Sequence, residues 1–145
     1  MILGIGIDAV AVARFAHWHQ HSHTQLSRLF SADEITYCLA TSAKSAERFA
    51  ARFAAREALF KALSSALPNH RIPFLTLCRA VTIASKKGVP TCLIHWDMLA
   101  PRSERCTNKP LHTHLSLTHT AKDAIAFVIL TASAGTPKPS KANPI

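Results

Sequence analysis

The sequence predicts an α+β fold, with helices and antiparallel strands sharing one hydrophobic core. Three observations carry this. Ser45 to about Leu63 reads as one long helix. Val81–Ser85 and Thr91–Trp96 read as strands joined through Lys86-Lys87-Gly88, a hairpin. His114–Thr118 alternates polar and apolar residues, and the buried strand Ala124–Leu130 follows closely enough to pair with it. The chain has 145 residues, 48% of them hydrophobic, enough for one domain with a real core. That domain is expected over residues 1–132. Residues 133–145 carry three prolines and two lysines and are expected to be a disordered tail.

From the N-terminus, Leu3–Ile7 is apolar and partly β-branched, a strand with Asp8 at its C-terminal end. Val10 to about His19 reads as a helix. Ser31-Ala32-Asp33-Glu34 is a capping box, with Phe30 and Ile35 at staple positions, so a short helix should run from Ala32 to about Leu39. Ser45 is the expected N-cap of the long helix. Phe49, Phe53 and Phe60 share one face of it, and from Phe49 to Leu63 only Arg52, Arg56, Glu57 and Lys61 are charged or polar. A helix apolar nearly all round is buried, so these four must be committed to partners. Glu57 and Lys61 are i,i+4 neighbours on one side of the Phe stripe, Arg52 and Arg56 on the other. Residues 64–78 and Ala100–Pro110 read as loops.

The net charge is +9 before nine histidines are counted. Such a surplus favours an anionic partner: nucleic acid, phosphorylated metabolite, acidic protein or acidic lipid. No apolar run approaches the ~20 residues that cross a bilayer. Met1-Ile2-Leu3-Gly4-Ile5 lacks the basic stretch and cleavage site of a signal peptide. Cys38, Cys78, Cys92 and Cys106 have no C-x-x-C spacing, and reduced thiols in a cytoplasmic protein are expected. There is no dinucleotide-binding, Walker, nucleophile-elbow or zinc-finger spacing.

Asp8 alone reads as a turn or capping residue, and Glu57 alone as half of a helix ion pair with Lys61. Together, two carboxylates on separate elements in apolar surroundings can hold Mg²⁺, which takes oxygen ligands and shares them with substrate phosphate. Arg48, Arg52 and Arg56 form an i,i+4 stripe. Arginine's fork suits phosphate, and the inner two are the better candidates. His17, His19, His21 and His23 alternate, but a helix end and loop is not a closed ligand set, and metal binding is not expected there.

Three motifs in order then resemble one family: Gly4-Ile5-Gly6-Ile7-Asp8; Arg52-Phe53-Ala54-Ala55-Arg56-Glu57-Ala58 with Lys61-Ala62; and His114-Leu115-Ser116-Leu117-Thr118-His119-Thr120. The chain from Met1 to about Leu130 resembles the holo-[acyl-carrier-protein] synthases, the bacterial-type 4′-phosphopantetheinyl transferases. The resemblance implies a long helix packed on an antiparallel sheet. It implies transfer of the 4′-phosphopantetheine arm of coenzyme A to a serine of apo acyl carrier protein, releasing adenosine 3′,5′-bisphosphate, in fatty acid biosynthesis. It implies Mg²⁺ on Asp8 and Glu57, with Lys61 neutralising charge on the transferred phosphate, so that Asp8, Glu57 and Lys61 are the catalytic set. Lys44, Arg52, Lys61 and His114 match positions that handle coenzyme A, and Arg14 and Arg28 match positions that meet the carrier protein. A homotrimer with active sites shared between subunits is implied as well.

The match has departures. Arg56 stands where the family usually has lysine. Ser64-Ser65-Ala66-Leu67-Pro68 replaces a glycine-rich turn. Ala9-Val10-Ala11-Val12 lacks a further acid, so water is expected to supply the third metal-site oxygen. The histidine-rich segment 17–23 is unusual for the family. A rival from another class is a noncatalytic nucleic-acid-binding domain, motivated by charge; few aromatics (7%) and no binding motif speak against it. A degenerate, inactive family member is a third possibility. No nucleic-acid or membrane partner is expected.

Overall fold

The computed structural model describes residues 1–99 and 111–133. In chain order the elements are β1 (Ile2–Ala11), two 3₁₀ turns (Val12–Phe15 and Trp18–Gln20), α1 (His23–Leu26), α2 (Ala32–Leu39), α3 (Ser42–Ala66), α4 (Phe74–Ala80), β2 (Val81–Lys86), β3 (Val89–Ile94), α5 (Trp96–Leu99), β4 (Leu111–His119) and β5 (Asp123–Ala132). One antiparallel sheet has the order β1-β5-β4, and β2-β3 is a separate hairpin. The long helix α3 packs on β1 and β5, as the α+β expectation requires.

Small residues set that contact. Ala54, Ala55, Ala58 and Ala62 of α3 are fully buried, and Ala124, Ala126, Val128 and Leu130 point at them from alternate positions of β5. Gly4 and Gly6 let β1 lie against the helix backbone itself. A methyl group at Gly6 would collide with the Ala58 carbonyl oxygen, and one at Gly4 with that of Ala62. The Gly-x-Gly near the N-terminus is therefore a packing device, required because backbone meets backbone. The opposite face of the sheet is apolar and open: Ile5, Ile7, Ile125 and Phe127 are 51%, 59%, 38% and 37% exposed.

The capping box on Ser31 and Glu34 forms as predicted. The hairpin turns at Lys87-Gly88, both at positive φ (52° and 82°), the two-residue geometry that matches strand twist. Elsewhere the structure corrects local expectations. Val10 and Ala11 extend β1, because they find partners in Ala124 and Asp123, and Asp8 lies within the strand. The expected helix to His19 is two 3₁₀ turns instead. Phe15 and Trp18, three residues apart, both pack inward, with centroids 4.6 Å apart, beside Phe49 and Phe53. The long helix begins at Ser42 after an N-cap at Thr41, which leaves Ser45 buried inside it. Residues 64–78 are not all loop: α3 runs to Ala66 and α4 starts at Phe74. The expected loop Ala100–Pro110 lies outside the described residues, as does the tail beyond Ser133.

Candidate active site

Asp8, Glu57 and Lys61 meet where β1 crosses α3. The Lys61 Nζ donates to Asp8 Oδ1 at 2.8 Å and to the Ile7 carbonyl oxygen at 2.9 Å, joining residues 53 apart in sequence. Asp8 Oδ2 is buried and has no hydrogen-bond partner. Glu57 is half-buried beside it. Its carboxyl is held above the ordinary value of 4.5, first by burial and then by the negative charge of Asp8, against the opposing pull of Lys61 and Arg14. A buried, unpartnered carboxylate oxygen next to a second carboxylate that repels it is a pair short of positive charge. Hard oxygen donors of this kind fit Mg²⁺. An ammonium offers three protons and two are used here, so Lys61 keeps one for an incoming anion.

The other charged side of α3 is built differently. Arg56 is fully buried and grips Glu34 with both terminal nitrogens, at 2.8 and 2.6 Å. It also donates to the Val81 carbonyl oxygen at 2.9 Å. Glu34, 2% exposed, further accepts from the amides of Ser31 (3.0 Å) and Ile83 (3.2 Å). This bidentate pair ties α3 to α2 and β2. Arg56, one of the two arginines expected to suit phosphate, is instead a structural clamp. A buried arginine must have an acid, and the capping-box acid serves twice.

Arg52 lies between this clamp and the surface, with its Nε 3.9 Å from Glu34 and its guanidinium 4.2 Å from the Tyr37 ring centroid. Arg48 stacks on Tyr37 too, at 4.3 Å. Together with Lys44, Glu47 and His119 they line a groove of about 430 Å³. Glu47 Oε2 lies 3.3 Å from Lys44 Nζ and 3.6 Å from His119 Nδ1. Lys44 and Arg52 thus share a groove, but His114 does not join them. It lies on the open face of the sheet, with its Nε2 3.3 Å from Thr131 Oγ1. Strand alternation sends His114, Ser116 and Thr118 outward together, and His119, at the end of β4, reaches the groove. Arg14 and Arg28 are both exposed, and the Arg14 guanidinium lies 5.4 Å from the Phe53 ring centroid.

Residues 4–109 match the model of the 4′-phosphopantetheinyl transferase superfamily. The chain belongs to that superfamily. It is 36% identical over 134 residues to the holo-[acyl-carrier-protein] synthase of Dechloromonas aromatica, covering 90% of this chain and 98% of that one. Among solved structures it resembles the Mycobacterium tuberculosis acyl carrier protein synthase (28% identity, TM-score 0.63, covering 92% and 100% of the two chains). It also resembles the Helicobacter pylori holo-[acyl-carrier-protein] synthase in complex with coenzyme A (27%, TM-score 0.62, 88% and 99%). The chain is thus an enzyme of the 4′-phosphopantetheinyl transferase type, with the α+β fold of those synthases.

Proposed function

We propose that this transferase moves 4′-phosphopantetheine from coenzyme A to a serine of apo acyl carrier protein, in fatty acid biosynthesis in the cytoplasm. The observation that carries the reading is the union of Asp8, Glu57 and Lys61, with one Asp8 oxygen buried and unpartnered. The coenzyme A in the Helicobacter pylori relative's complex supports the donor. Asp8 and Glu57 would hold Mg²⁺, with water supplying the remaining oxygens. Bound there, the metal would neutralise phosphate charge and polarise the phosphorus–oxygen bond.

The serine oxygen of the carrier forms a bond to the phosphorus bearing the pantetheine arm. The bond from that phosphorus to the bridging pyrophosphate oxygen breaks, adenosine 3′,5′-bisphosphate leaves, and the serine proton passes to solvent water. Lys61 uses its free proton to hold a phosphate oxygen as charge grows on it. Lys44 and Arg52, with His119, bind the nucleotide phosphates in the basic groove. Arg14 and Arg28 meet the acidic carrier.

The groove and the carboxylates lie on different sides of α3, a cylinder about 10 Å across. One coenzyme A is therefore served by two copies of the chain, the groove of one completing the carboxylate centre of its neighbour. The apolar sheet face with Ile5, Ile7, Ile125 and Phe127 gives such copies a surface to bury, and a homotrimer with shared active sites is the assembly we propose. The test is direct. Incubation with apo carrier protein, coenzyme A and Mg²⁺ should raise the carrier's mass by one phosphopantetheine. No shift with several apo carriers removes the proposed reaction.

A further inference from the structure

Arg48, Arg52 and Arg56, at i,i+4 spacing on α3, meet Glu34 and Tyr37, at i,i+3 spacing on α2. Glu34 takes Arg56 and approaches Arg52 Nε at 3.9 Å. Tyr37 takes the other two. The Arg52 guanidinium lies 4.2 Å from its ring centroid and the Arg48 guanidinium 4.3 Å. The kind of partner changes along the row as burial changes. Arg56 is fully buried and gripped by a carboxylate, whereas Arg48 and Arg52 are partly buried and lie over an aromatic ring.

The partner decides what each arginine can still do. A bidentate carboxylate occupies the guanidinium fork. An aromatic face attracts the cation through its π-system and leaves the N–H edges uncovered. Arg48 Nη1 donates to the Tyr37 carbonyl oxygen at 2.7 Å, and Arg52 Nη1 to the Arg48 carbonyl oxygen at 3.4 Å. A guanidinium has five N–H donors, so both side chains keep donors for an anion. Tyr37 is 47% exposed, so filling the core does not require it. It lines the basic groove beside Lys44, Arg48 and Arg52, where Glu47 is the acid set against these three cations.

A long side chain loses rotamer freedom when it grips a ligand, and a guanidinium already laid on a ring loses less. Resting on the function proposed above, we infer that Tyr37 is a positioning residue for coenzyme A. Its ring holds Arg48 and Arg52 ready in the groove, and Arg48 thereby joins Lys44 and Arg52 in binding the nucleotide phosphates. Tyr37 itself touches no reacting atom, so its effect belongs to binding rather than to the chemical step.

The experiment compares wild type with Tyr37→Phe, which keeps the ring, and Tyr37→Leu, which removes it and keeps a good helix former in α2. Apo acyl carrier protein of Dechloromonas aromatica serves as acceptor. Tyr37→Leu should raise the KM for coenzyme A roughly tenfold, with kcat at saturating coenzyme A and the KM for carrier within about twofold of wild type. Tyr37→Phe should restore the wild-type KM. Isothermal titration of adenosine 3′,5′-bisphosphate should show the same order of affinities without turnover. Arg48→Gln should weaken that binding about fivefold, and the double variant Y37L/R48Q should fall short of the product of the two single effects. An unchanged KM for coenzyme A in Tyr37→Leu, with transfer intact, overturns the inference alone. So does a loss in Tyr37→Phe equal to that in Tyr37→Leu, or a fall in kcat without a change in KM. Fully multiplicative effects in the double variant overturn the link to Arg48. Absence of both transfer and nucleotide binding in wild type overturns the inference together with the proposed function.

Discussion

The two charged sides of α3 use the same chemistry to opposite ends. On one, Arg56 and Glu34 are dry and bidentate, the Ser31 and Ile83 amides fill the Glu34 carboxylate, and Arg56 donates also to the Val81 carbonyl oxygen, with its Nε left unpartnered. On the other, Asp8, Glu57 and Lys61 are partly open, Glu57 is pushed up in pKa, and Asp8 Oδ2 has no partner. In the cluster that holds the fold together the carboxylate is saturated from within. A cluster meant to receive something is left short of partners, and the fold tolerates it because other contacts hold the elements in place.

The largest effect expected from breaking this contrast is on the saturated side. Glu34→Ala strands a buried guanidinium and should cost about 3–5 kcal/mol in urea unfolding. Loss of less than 1 kcal/mol would mean that the clamp is not structural. On the open side the fold should survive and the activity should not. Glu57→Gln should lower kcat/KM on the order of 10²–10³-fold with an unchanged circular dichroism spectrum. The same change should raise the thermal midpoint of the metal-free protein at pH 7. An acid held above 4.5 is more easily protonated folded than unfolded, so its ionisation works against the fold as pH rises. The gain over wild type should disappear below about pH 4.5.

Gly6→Ala tests what supports the open side, because its methyl meets the Ala58 carbonyl oxygen. It should cost about 2–3 kcal/mol by thermal melts and move Asp8 from Lys61, so activity falls with stability. Arg56→Lys keeps the charge of the clamp and loses its fork. A cost of about 1–2 kcal/mol with near-normal kcat is expected, separating clamp from catalysis. Ser45→Ala is the smallest. The Ser45 hydroxyl is buried in α3 without a partner, so removing it should leave stability unchanged or raise it by about 0.5 kcal/mol.

The α+β class, the long helix and both hairpins were legible because period and turn chemistry are local signals. So was the placement of Glu57 and Lys61 on one side of the Phe stripe and of Arg52 and Arg56 on the other. What the sequence hid was tertiary. Val10 and Ala11 have apolar character that suits helix or strand, and only the partner residues on β5 decide for strand. Glu34 announced itself as a cap, and nothing local says that its carboxylate also closes on Arg56, 22 residues away. His114 and His119 look interchangeable beside one strand. Their separation into open sheet face and basic groove depends on where β4 ends.

The strand that carries Asp8 has a further consequence, in the order of synthesis. Among the described residues β1 pairs only with β5, in a register that sets Ile2 opposite Thr131 and Ala11 opposite Asp123. β1 is made before α3 and β5, so it has no strand partner until β5 follows. Asp8 is made before Lys61, and the strand that pairs with β1 after both. Until β5 is made, the strand that carries Asp8 is held by α3 alone.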